Sequence, residues 1–520
     1  MQILDHLIIG AGPAGLQLGY YFEKKNRTYL ILEKNDVPGS FFKKFPVHRM
    51  LISSNKVHTG YDQKEINLRW DWNSLLSDSD KLVFKNYSKE YFPAADTMVE
   101  YLKDFKEEHN LKVEYNFDVV RVSRNEHFEV LGSDGRSYMA KSIIMATGVT
   151  KPYLPEIPGI EYAKPYSDLN MDKSEFENKK VLILGKGNSA FETADYLVDT
   201  TALTHVCSPN SVKMAWSTHF VGHLRAVNNN FLDTYHLKSQ NALLDADVRA
   251  IRKEGDKLIV SVAYKNESAE VEELEYDAII ACTGFRFDNA FFDDNCKPQL
   301  TIKNRYPDLT CEWESCNVDG LYFVGTITQS RDYKKATSGF IHGFRYNVKA
   351  LAEILDKNYH GEEIGYDTVD LDENKLMTRI LDQVNTSSAI WQQFGFLCDA
   401  ICINEKHGNA HYYKGLSMDY VKEKMSKDYD AYILVTLEYG PELDQGDHES
   451  IKRISRFDFE NAQLSKFLHP VIRCYSNNEQ QGELHLLEDL FAEWKKDVHT
   501  QPLTEFLRKQ LESMTTPAEF

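Results

Sequence analysis

The feature that most constrains this chain is a glycine-rich loop between a short apolar strand and a helical pattern at its start. Residues 7–9 are apolar and are followed by Gly10-Ala11-Gly12-Pro13-Ala14-Gly15. In a GxGxxG loop the first glycine makes the turn, the second admits a pyrophosphate, and the third lets helix pack on strand. The next strand, residues 29–32, leads to Glu33, whose carboxylate can accept both hydroxyl hydrogens of an adenosine ribose. These residues predict a dinucleotide-binding unit.

A second copy of this pattern begins near residue 180. An apolar strand, residues 180–184, precedes Gly185-Lys186-Gly187-Asn188-Ser189-Ala190 and another helical pattern. The position equivalent to Glu33 is Ser208, which is neutral. An acid there would repel a 2′-phosphate, so its absence favours NADPH over NADH, with Lys213 as the nearby cation. Two dinucleotide loops suggest two nucleotides: FAD in the acid-bearing first unit and a nicotinamide nucleotide in the second.

Two strand ends and a later strand support this arrangement. Ala146-Thr147-Gly148 and Ala281-Cys282-Thr283-Gly284 each end an apolar strand, and small residues there allow the backbone to approach a cofactor. A last strand ends near Gly325, and the segment 339–346 starts a helix whose N-terminus would favour an anionic reduced flavin. We expect this part to face the flavin ring.

The sequence therefore predicts an α/β fold with two Rossmann-like dinucleotide-binding domains and a mostly helical C-terminal module. The expected domains are residues 1–155 and 276–355 for FAD, 156–275 for NADPH, and 356–520 for the module. Helical spacing of apolar residues, with an interruption at Pro502, suggests the module's helices: Leu487, Leu490, Phe491, Trp494 and Val498. The module could roof the cleft, contact substrate or form a homodimer.

Charge and cysteine usage restrict the partners and the compartment. The net charge is −19, which disfavours nucleic acid and anionic membrane surfaces as partners. No apolar run reaches the roughly 18 residues that span a bilayer. The eight cysteines are sparse and irregularly spaced, and the chain starts on its first strand instead of a signal peptide. We expect a cytoplasmic protein that acts on a small molecule.

Longer strings carry a family resemblance. The chain to about residue 351 resembles class B flavin-containing monooxygenases. More closely, it is similar to the family of the endoplasmic-reticulum flavoprotein associated with degradation and its bacterial relatives. The strings include Pro38-Gly39-Ser40-Phe41-Phe42, Leu51-Ile52-Ser53-Ser54-Asn55-Lys56, residues 187–194 and residues 339–346.

The resemblance implies an FAD- and NADPH-dependent monooxygenase. A flavin C4a-hydroperoxide would transfer oxygen, taken from molecular oxygen, to nitrogen or sulfur of a small molecule, with N-hydroxylation of an amine or amino acid favoured. Asn55 would lie near the flavin as the catalytic residue; alternatively, it caps a turn. His342 could bond the ring or substrate, or have a structural role at the helix start. Further expected cofactor contacts are Lys34, Ser40, Phe41, Ser54, Val119 and Phe340.

The alternative is an NADPH-dependent flavin oxidoreductase acting on disulfides or on a protein partner. The monooxygenase fingerprint before the second loop is degenerate, with Tyr166 at its histidine position. Disulfide chemistry, however, needs C-x-x-C beside the flavin, and the close pairs here are Cys311-x4-Cys316 and Cys398-x3-Cys402. The latter pair fits one face of an apolar helix, and no metal-ligand spacing is present.

Overall fold

The computed structural model describes residues 2–238, 241–265, 270–404, 409–441 and 453–515. Its N-terminal part alternates strands and helices around a sheet whose central strands are parallel. In chain order the elements are β1 (Ile3–Ile9), α1 (Pro13–Lys24), β2 (Tyr29–Leu32), α2 (Phe41–Lys44), α3 (Lys64–Asn67), α4 (Ala95–Glu108), β3 (Val113–Glu114), β4 (Val119–Arg124), β5 (Phe128–Gly132) and β6 (Ser137–Met145).

The strand order of this first sheet is β3-β2-β1-β6-β5-β4. β1 pairs in parallel with both β2 and β6, so that Ile9 lies opposite Leu32 and Met145. Parallel strands covered on both faces are continuous apolar runs, as in β1. Their carboxyl ends meet at one edge, where the first glycine loop lies beside residues 146–148.

The next part repeats this construction. Its elements are β7 (Lys151–Pro152), β8 (Lys164–Pro165), β9 (Lys180–Leu184), α5 (Asn188–Leu197), β10 (Leu203–Ser208), α6 (Ala215–Thr218), α7 (Asn230–Lys238), β11 (Ala242–Glu254), β12 (Lys257–Tyr264), β13 (Val271–Tyr276) and β14 (Ala278–Ala281). The sheet order is β13-β12-β11-β10-β9-β14-β8. Leu184 lies opposite Cys207 and Ala281, so the second glycine loop also meets two strand ends.

The chain then returns to the first sheet. The elements are β15 (Phe285–Arg286), β16 (Leu300–Thr301), β17 (Tyr306–Pro307), β18 (Leu321–Phe323) and α8 (Ile341–His360). β18 pairs in parallel with β6, with Phe323 opposite Met145. Gly325 follows directly, and a Cβ added to it would lie 2.9 Å from the Cβ of Ala14. The predicted α/β fold with two strand–loop–helix units is confirmed.

The C-terminal module is not mostly helical, and this part of the prediction is corrected. A six-stranded antiparallel sheet forms its centre, in the order β19-β21-β20-β22-β23-β24. The elements are β19 (Asp367–Asp370), α9 (Glu373–Thr386), α10 (Ala389–Gln392), β20 (Leu397–Ile403), β21 (Asn409–Ser417), α11 (Met418–Glu423), β22 (Ala431–Glu438), β23 (His469–Ser476), β24 (Glu479–His485) and α12 (Asp497–Thr515).

The correction has a physical reason in the burial of the central strands. On β22, Leu434 packs into the core of the first domain, whereas Ile433 packs into a second core with α9 and α12. A strand buried on both faces loses the polar/apolar alternation that identifies it in sequence. Cys398 and Cys402 accordingly lie on β20 and not on a helix.

The predicted terminal helices also differ from the observed ones. Leu487, Leu490, Phe491 and Trp494 precede α12 in irregular structure, and Pro502 lies inside α12 instead of interrupting it. Trp494 is fully buried, whereas Phe491 is 80% exposed, so these residues do not share one face of a helix. Within the described residues, no helix has both the length and the apolar composition needed to cross a membrane.

Candidate functional site

The first glycine loop packs tightly at Gly10 and Gly15 and is open at Gly12, the second glycine of the motif. Gly10 has φ +110°, and a Cβ on it would lie 2.7 Å from the carbonyl oxygen of Ala146. A Cβ on Gly15 would lie 2.1 Å from the carbonyl oxygen of Gly10. No atom lies within 4 Å of a Cβ placed on Gly12. The space over Gly12, at the N-terminus of α1, suits a phosphate group.

The Glu33 carboxylate is buried beside this loop. It accepts hydrogen bonds from the backbone N–H of Ala11 at 2.9 Å and from Ser40 Oγ at 3.0 Å. Lys34 instead forms an exposed ion pair with Asp118, at 3.0 Å, next to Val119. Glu33 and Ser40 are therefore linked to each other beside the first glycine loop.

The second loop has the same geometry. Gly185 has φ +114°, and a Cβ on it would lie 2.3 Å from the carbonyl oxygen of Cys282. A Cβ placed on Gly187 would again have no atom within 4 Å. Ala190, in the third glycine position, is fully buried where α5 packs on its sheet. Each loop thus leaves room for one phosphate-bearing ligand.

Sequence reasoning missed an acid beside Ser208. Asp245, on β11, lies directly opposite Ser208 in the sheet register. Its carboxylate forms an ion pair with Lys186 and accepts a hydrogen bond from Ser211 Oγ at 2.6 Å. Lys186 Nζ also bonds the carbonyl oxygen of Asn210 at 3.2 Å. The negative charge that would repel a 2′-phosphate is therefore paired with a lysine of the glycine loop.

Both loops open into one cavity of about 1430 Å³. This volume exceeds the roughly 300–1,000 Å³ of a pocket for one drug-sized ligand, and it leaves room for a nucleotide at each loop. The predicted site residues that line it are Gly12, Pro13, Ala14, Phe41, Ala146, Thr147, Gly148, Gly185, Gly187, Asn188, Ser189, Ser208, Thr283, Gly284, Gly325, Phe340 and His342. Those outside the lining are Gly10, Gly15, Glu33, Lys34, Ser40, Ser54, Asn55, Val119 and Ala190.

The structure places Asn55 behind the lining of the cavity, and its catalytic assignment stays a prediction. The residue is 1% exposed, and its side-chain amide donates to the carbonyl oxygens of Ser88 and Glu90 at 2.9 and 3.1 Å. Its backbone N–H donates to the carbonyl oxygen of Tyr91 at 2.9 Å. The neighbouring Ser54 is buried as well. The Asn55 amide nitrogen thus orders the segment behind the cavity wall, while its side-chain oxygen Oδ1 is buried without a hydrogen-bond partner in the described structure.

An aromatic stack forms part of the cavity wall instead. The rings of Trp72 and His342 are 4.2 Å apart at 24°, and Phe340 stacks on His342 at 5.8 Å. Burial, reinforced by Arg345 and Arg225, lowers the pKa of His342 well below its usual value, which leaves a neutral imidazole. The sequence analysis identified His342 and Phe340 as site residues but did not identify Trp72.

Glu192 and Tyr166 line the cavity near the second loop. The Tyr166 hydroxyl donates to the Glu192 carboxylate at 3.4 Å. Burial raises the pKa of Glu192 to about 7, so this carboxyl group titrates near neutral pH. Tyr166, at the fingerprint's histidine position, therefore contacts a group that can hold a proton.

Three cations line another part of the cavity. They are Lys213, Arg305 and Lys334, of which the sequence indicated Lys213 alone. Burial and the charges of Lys213 and Arg305 lower the pKa of Lys334, so Lys334 lies close enough to both cations to be repelled by them. In a chain of net charge −19, this local excess of positive charge favours an anionic ligand such as a nucleotide phosphate.

The cavity cysteines are Cys207 and Cys282. Both are free and buried, and burial raises their pKa values to about 11 and about 12, respectively. Thiols with such pKa values remain protonated at neutral pH and are poor nucleophiles. The cavity therefore lacks an activated cysteine pair among the described residues.

Comparisons with known proteins agree with this geometry. The mouse FAD-dependent oxidoreductase domain-containing protein 2 is 34% identical, over 98% of this chain and 84% of its own length. The fold is similar to a flavin-containing monooxygenase from Stenotrophomonas maltophilia, with a TM-score of 0.54 and 20% identity over 69% of this chain and 99% of that one. It is also similar to a bacillithiol disulfide reductase from Staphylococcus aureus, with a TM-score of 0.52 and 19% identity over 69% of this chain and 99% of that one.

The last comparison concerns the family. Residues 7–325, more than half of the chain, match the model of the pyridine nucleotide-disulphide oxidoreductases. These residues contain both glycine loops, both strand ends and the returning strand β18. With the mouse relative, the match shows that this chain belongs to the pyridine nucleotide-disulphide oxidoreductase family.

Proposed function

We propose that this chain is an FAD- and NADPH-dependent monooxygenase that oxidises nitrogen or sulfur of a small molecule. The favoured reaction is N-hydroxylation of an amine or amino acid. NADPH supplies two electrons, one atom of molecular oxygen enters the product, and the other leaves as water. The observation that supports this proposal most is a cavity that joins two phosphate-accepting loops to an aromatic wall and has no activated cysteine pair among the described residues.

The bound FAD would supply the electron transfer and the oxygen chemistry. Gly12 and Glu33 would hold its pyrophosphate and ribose, while Gly187 and Lys186 would hold NADPH. The stacked Trp72 and His342 side chains would shield the reacting region from water, which reduces wasteful release of hydrogen peroxide. His342 Nε2 is buried with no hydrogen-bond partner in the structure and can therefore bond a group of the cofactor or substrate.

The alternative is an NADPH-dependent oxidoreductase that reduces a disulfide of a partner or small molecule. The fold similarity to a disulfide reductase is the reason to consider this reaction. Disulfide exchange on the enzyme would need a thiolate, and burial keeps Cys207 and Cys282 protonated. We therefore rank oxygen transfer first.

The two reactions are separated by product balance. The FAD-loaded enzyme is given NADPH, air and a panel of amines, amino acids and thioethers, and NADPH loss, oxygenated product and hydrogen peroxide are measured. We expect one panel member to yield product in proportion to NADPH consumed. Anaerobic, NADPH-dependent reduction of disulfides without any oxygenated product in air would contradict the proposal and support the alternative.

The proposed setting is the cytoplasm. All eight cysteines are free, which fits a reducing compartment. The acidic chain disfavours nucleic acid as a partner, and the proposed partners are the small-molecule substrate and molecular oxygen.

A further inference from the structure

Arg225 is a cation of the cavity without a carboxylate partner in the described part of the chain. Its Nη1 donates to the carbonyl oxygen of Ile52 at 2.8 Å, and its backbone N–H donates to Asn188 Oδ1 at 2.9 Å. These bonds connect the second glycine loop to the wall of the first domain. The guanidinium is fixed in place, yet neither bond neutralises its charge.

The surroundings of Arg225 are aromatic and apolar. Its guanidinium carbon lies 5.1 Å from the centre of the Trp72 ring and 6.0 Å from that of Phe92. Burial removes part of the hydration of the cation and thereby lowers the pKa of Arg225. The carboxyl group of Glu192 lines the same cavity, but its pKa is set by burial and Tyr166, without a contribution from Arg225.

A partly desolvated guanidinium with an unpaired charge favours binding of an anion, since a charge-assisted hydrogen bond offsets the lost hydration. The nucleotide phosphates have other sites, namely the open loops at Gly12 and Gly187 and the cations Lys213, Arg305 and Lys334. A single guanidinium flanked by aromatic rings suits a ligand that carries one negative charge on an apolar group. A planar carboxylate also matches the two-pronged geometry of guanidinium.

We propose that Arg225 binds the carboxylate of the substrate, so that the substrates are small carboxylic acids that also carry the nitrogen or sulfur to be oxidised and whose apolar part packs against Trp72 and Phe340. The inference rests on the proposed function, because it names the substrate class of that same cavity. Aromatic acids fit the stack best, since their rings can pack face to face or edge to face with Trp72. Arg225 is thereby a specificity-determining residue contributed by the second domain to chemistry at the first.

The test measures binding without turnover. Oxidised, FAD-loaded protein is titrated with phenylacetate and with its neutral analogue phenylacetamide, and the change in flavin absorbance gives each Kd. We expect the Kd of the native protein for phenylacetate to be at least about tenfold lower than its Kd for phenylacetamide. This ratio is the lower end of the effect of a hydrogen bond to a charged group. Arg225→Gln should abolish the preference, and Arg225→Lys should retain part of it. Arg252→Gln, on the exposed surface of β11, should leave the preference unchanged.

Three outcomes would overturn the inference. One is an equal preference in the native and Arg225→Gln proteins, and another is loss of NADP⁺ affinity in Arg225→Gln with unchanged phenylacetate binding. The third is tighter Arg225-dependent binding of phenyl phosphate than of phenylacetate. Because the titration uses resting enzyme, the acid preference can be present even if no oxygenated product is ever formed. That result would refute the proposed function and leave the inference standing.

Discussion

Gly12 and Gly187 allow the two nucleotide sites to be tested separately. Both have ordinary extended backbone, with φ −78° and −91°, and a Cβ added to either glycine would meet no atom within 4 Å. Gly12→Val should therefore fold normally and fill the space for the FAD phosphates. We expect FAD affinity to fall at least about tenfold, or 1.4 kcal/mol, measured by titrating flavin into the stripped protein.

Gly187→Val is the matched control. It should retain FAD and the native unfolding temperature but lose reduction of the bound flavin by NADPH, because only the second loop is filled. Native FAD affinity in Gly12→Val, or normal reduction by NADPH in Gly187→Val, would show that the phosphates lie elsewhere.

At the scale of single residues, the sequence analysis could identify those residues whose role depends on their immediate neighbours in the chain. The glycines and Glu33 were identifiable because turn, helix start and strand end lie within one short segment. Arg225 was not, because its contact with Ile52 joins residues 173 positions apart. Asn55 was placed by resemblance alone, and the structure shows its amide bonded to the backbone behind the wall.

Among the elements, α8 anchors the segment that carries Trp72. Arg345, on α8, is fully buried and donates to the carbonyl oxygens of Leu68, Asp71 and Ser74 at 2.7, 2.9 and 2.7 Å. Arg345→Met would leave the oxygens of Asp71 and Ser74 without a donor, at about 1–3 kcal/mol for each unsatisfied group, whereas the Leu68 oxygen keeps a bond from Gln392 Nε2 at 3.1 Å. We expect the free energy of unfolding in urea to fall by about 2 kcal/mol or more.

Arg252→Met gives the comparison for this change. Arg252 forms exposed ion pairs with Glu254 and Glu273 on the surface of β11, and because solvent screens such pairs its replacement should leave the free energy of unfolding nearly unchanged. Similar losses of stability in the two variants would mean that the buried guanidinium does not order the Trp72 segment.

The elements that sequence predicted correctly are those with strong local signals. β1, α1 and β2 are separated by a glycine loop and by a charged turn, so their limits were readable. β20 reads Leu-Cys-Asp-Ala-Ile-Cys-Ile, and burial of both faces removed the alternation that marks a strand. The same pattern allowed Cys398 and Cys402 to be interpreted as neighbours on a helix. Only the long-range pairing of β20 with β21 and β22 decides between these structures.

At the scale of the whole molecule, the C-terminal module and the first domain share one hydrophobic core. Leu397 and Ala400 of β20 pack in the same buried cluster as Leu7 of β1 and Leu351 of α8. By contrast, Leu258 and Val260 of β12, in the second sheet, belong to a separate cluster. Elements that share a core are expected to unfold together, so a ligand of the first domain should stabilise the module as well.

Hydrogen exchange with and without FAD tests this coupling. A ligand at a hundred times its Kd stabilises the folded state by about 2.7 kcal/mol, equivalent to roughly hundredfold slower exchange where amides open by unfolding. We expect this slowing in β1 and equally in β20, with a smaller effect in β12. In Gly12→Val, an affinity at least about tenfold weaker should reduce the slowing at the same FAD concentration to about tenfold or less. If FAD slowed exchange in β1 and left β20 unaffected, the module would open on its own, independently of the cofactor.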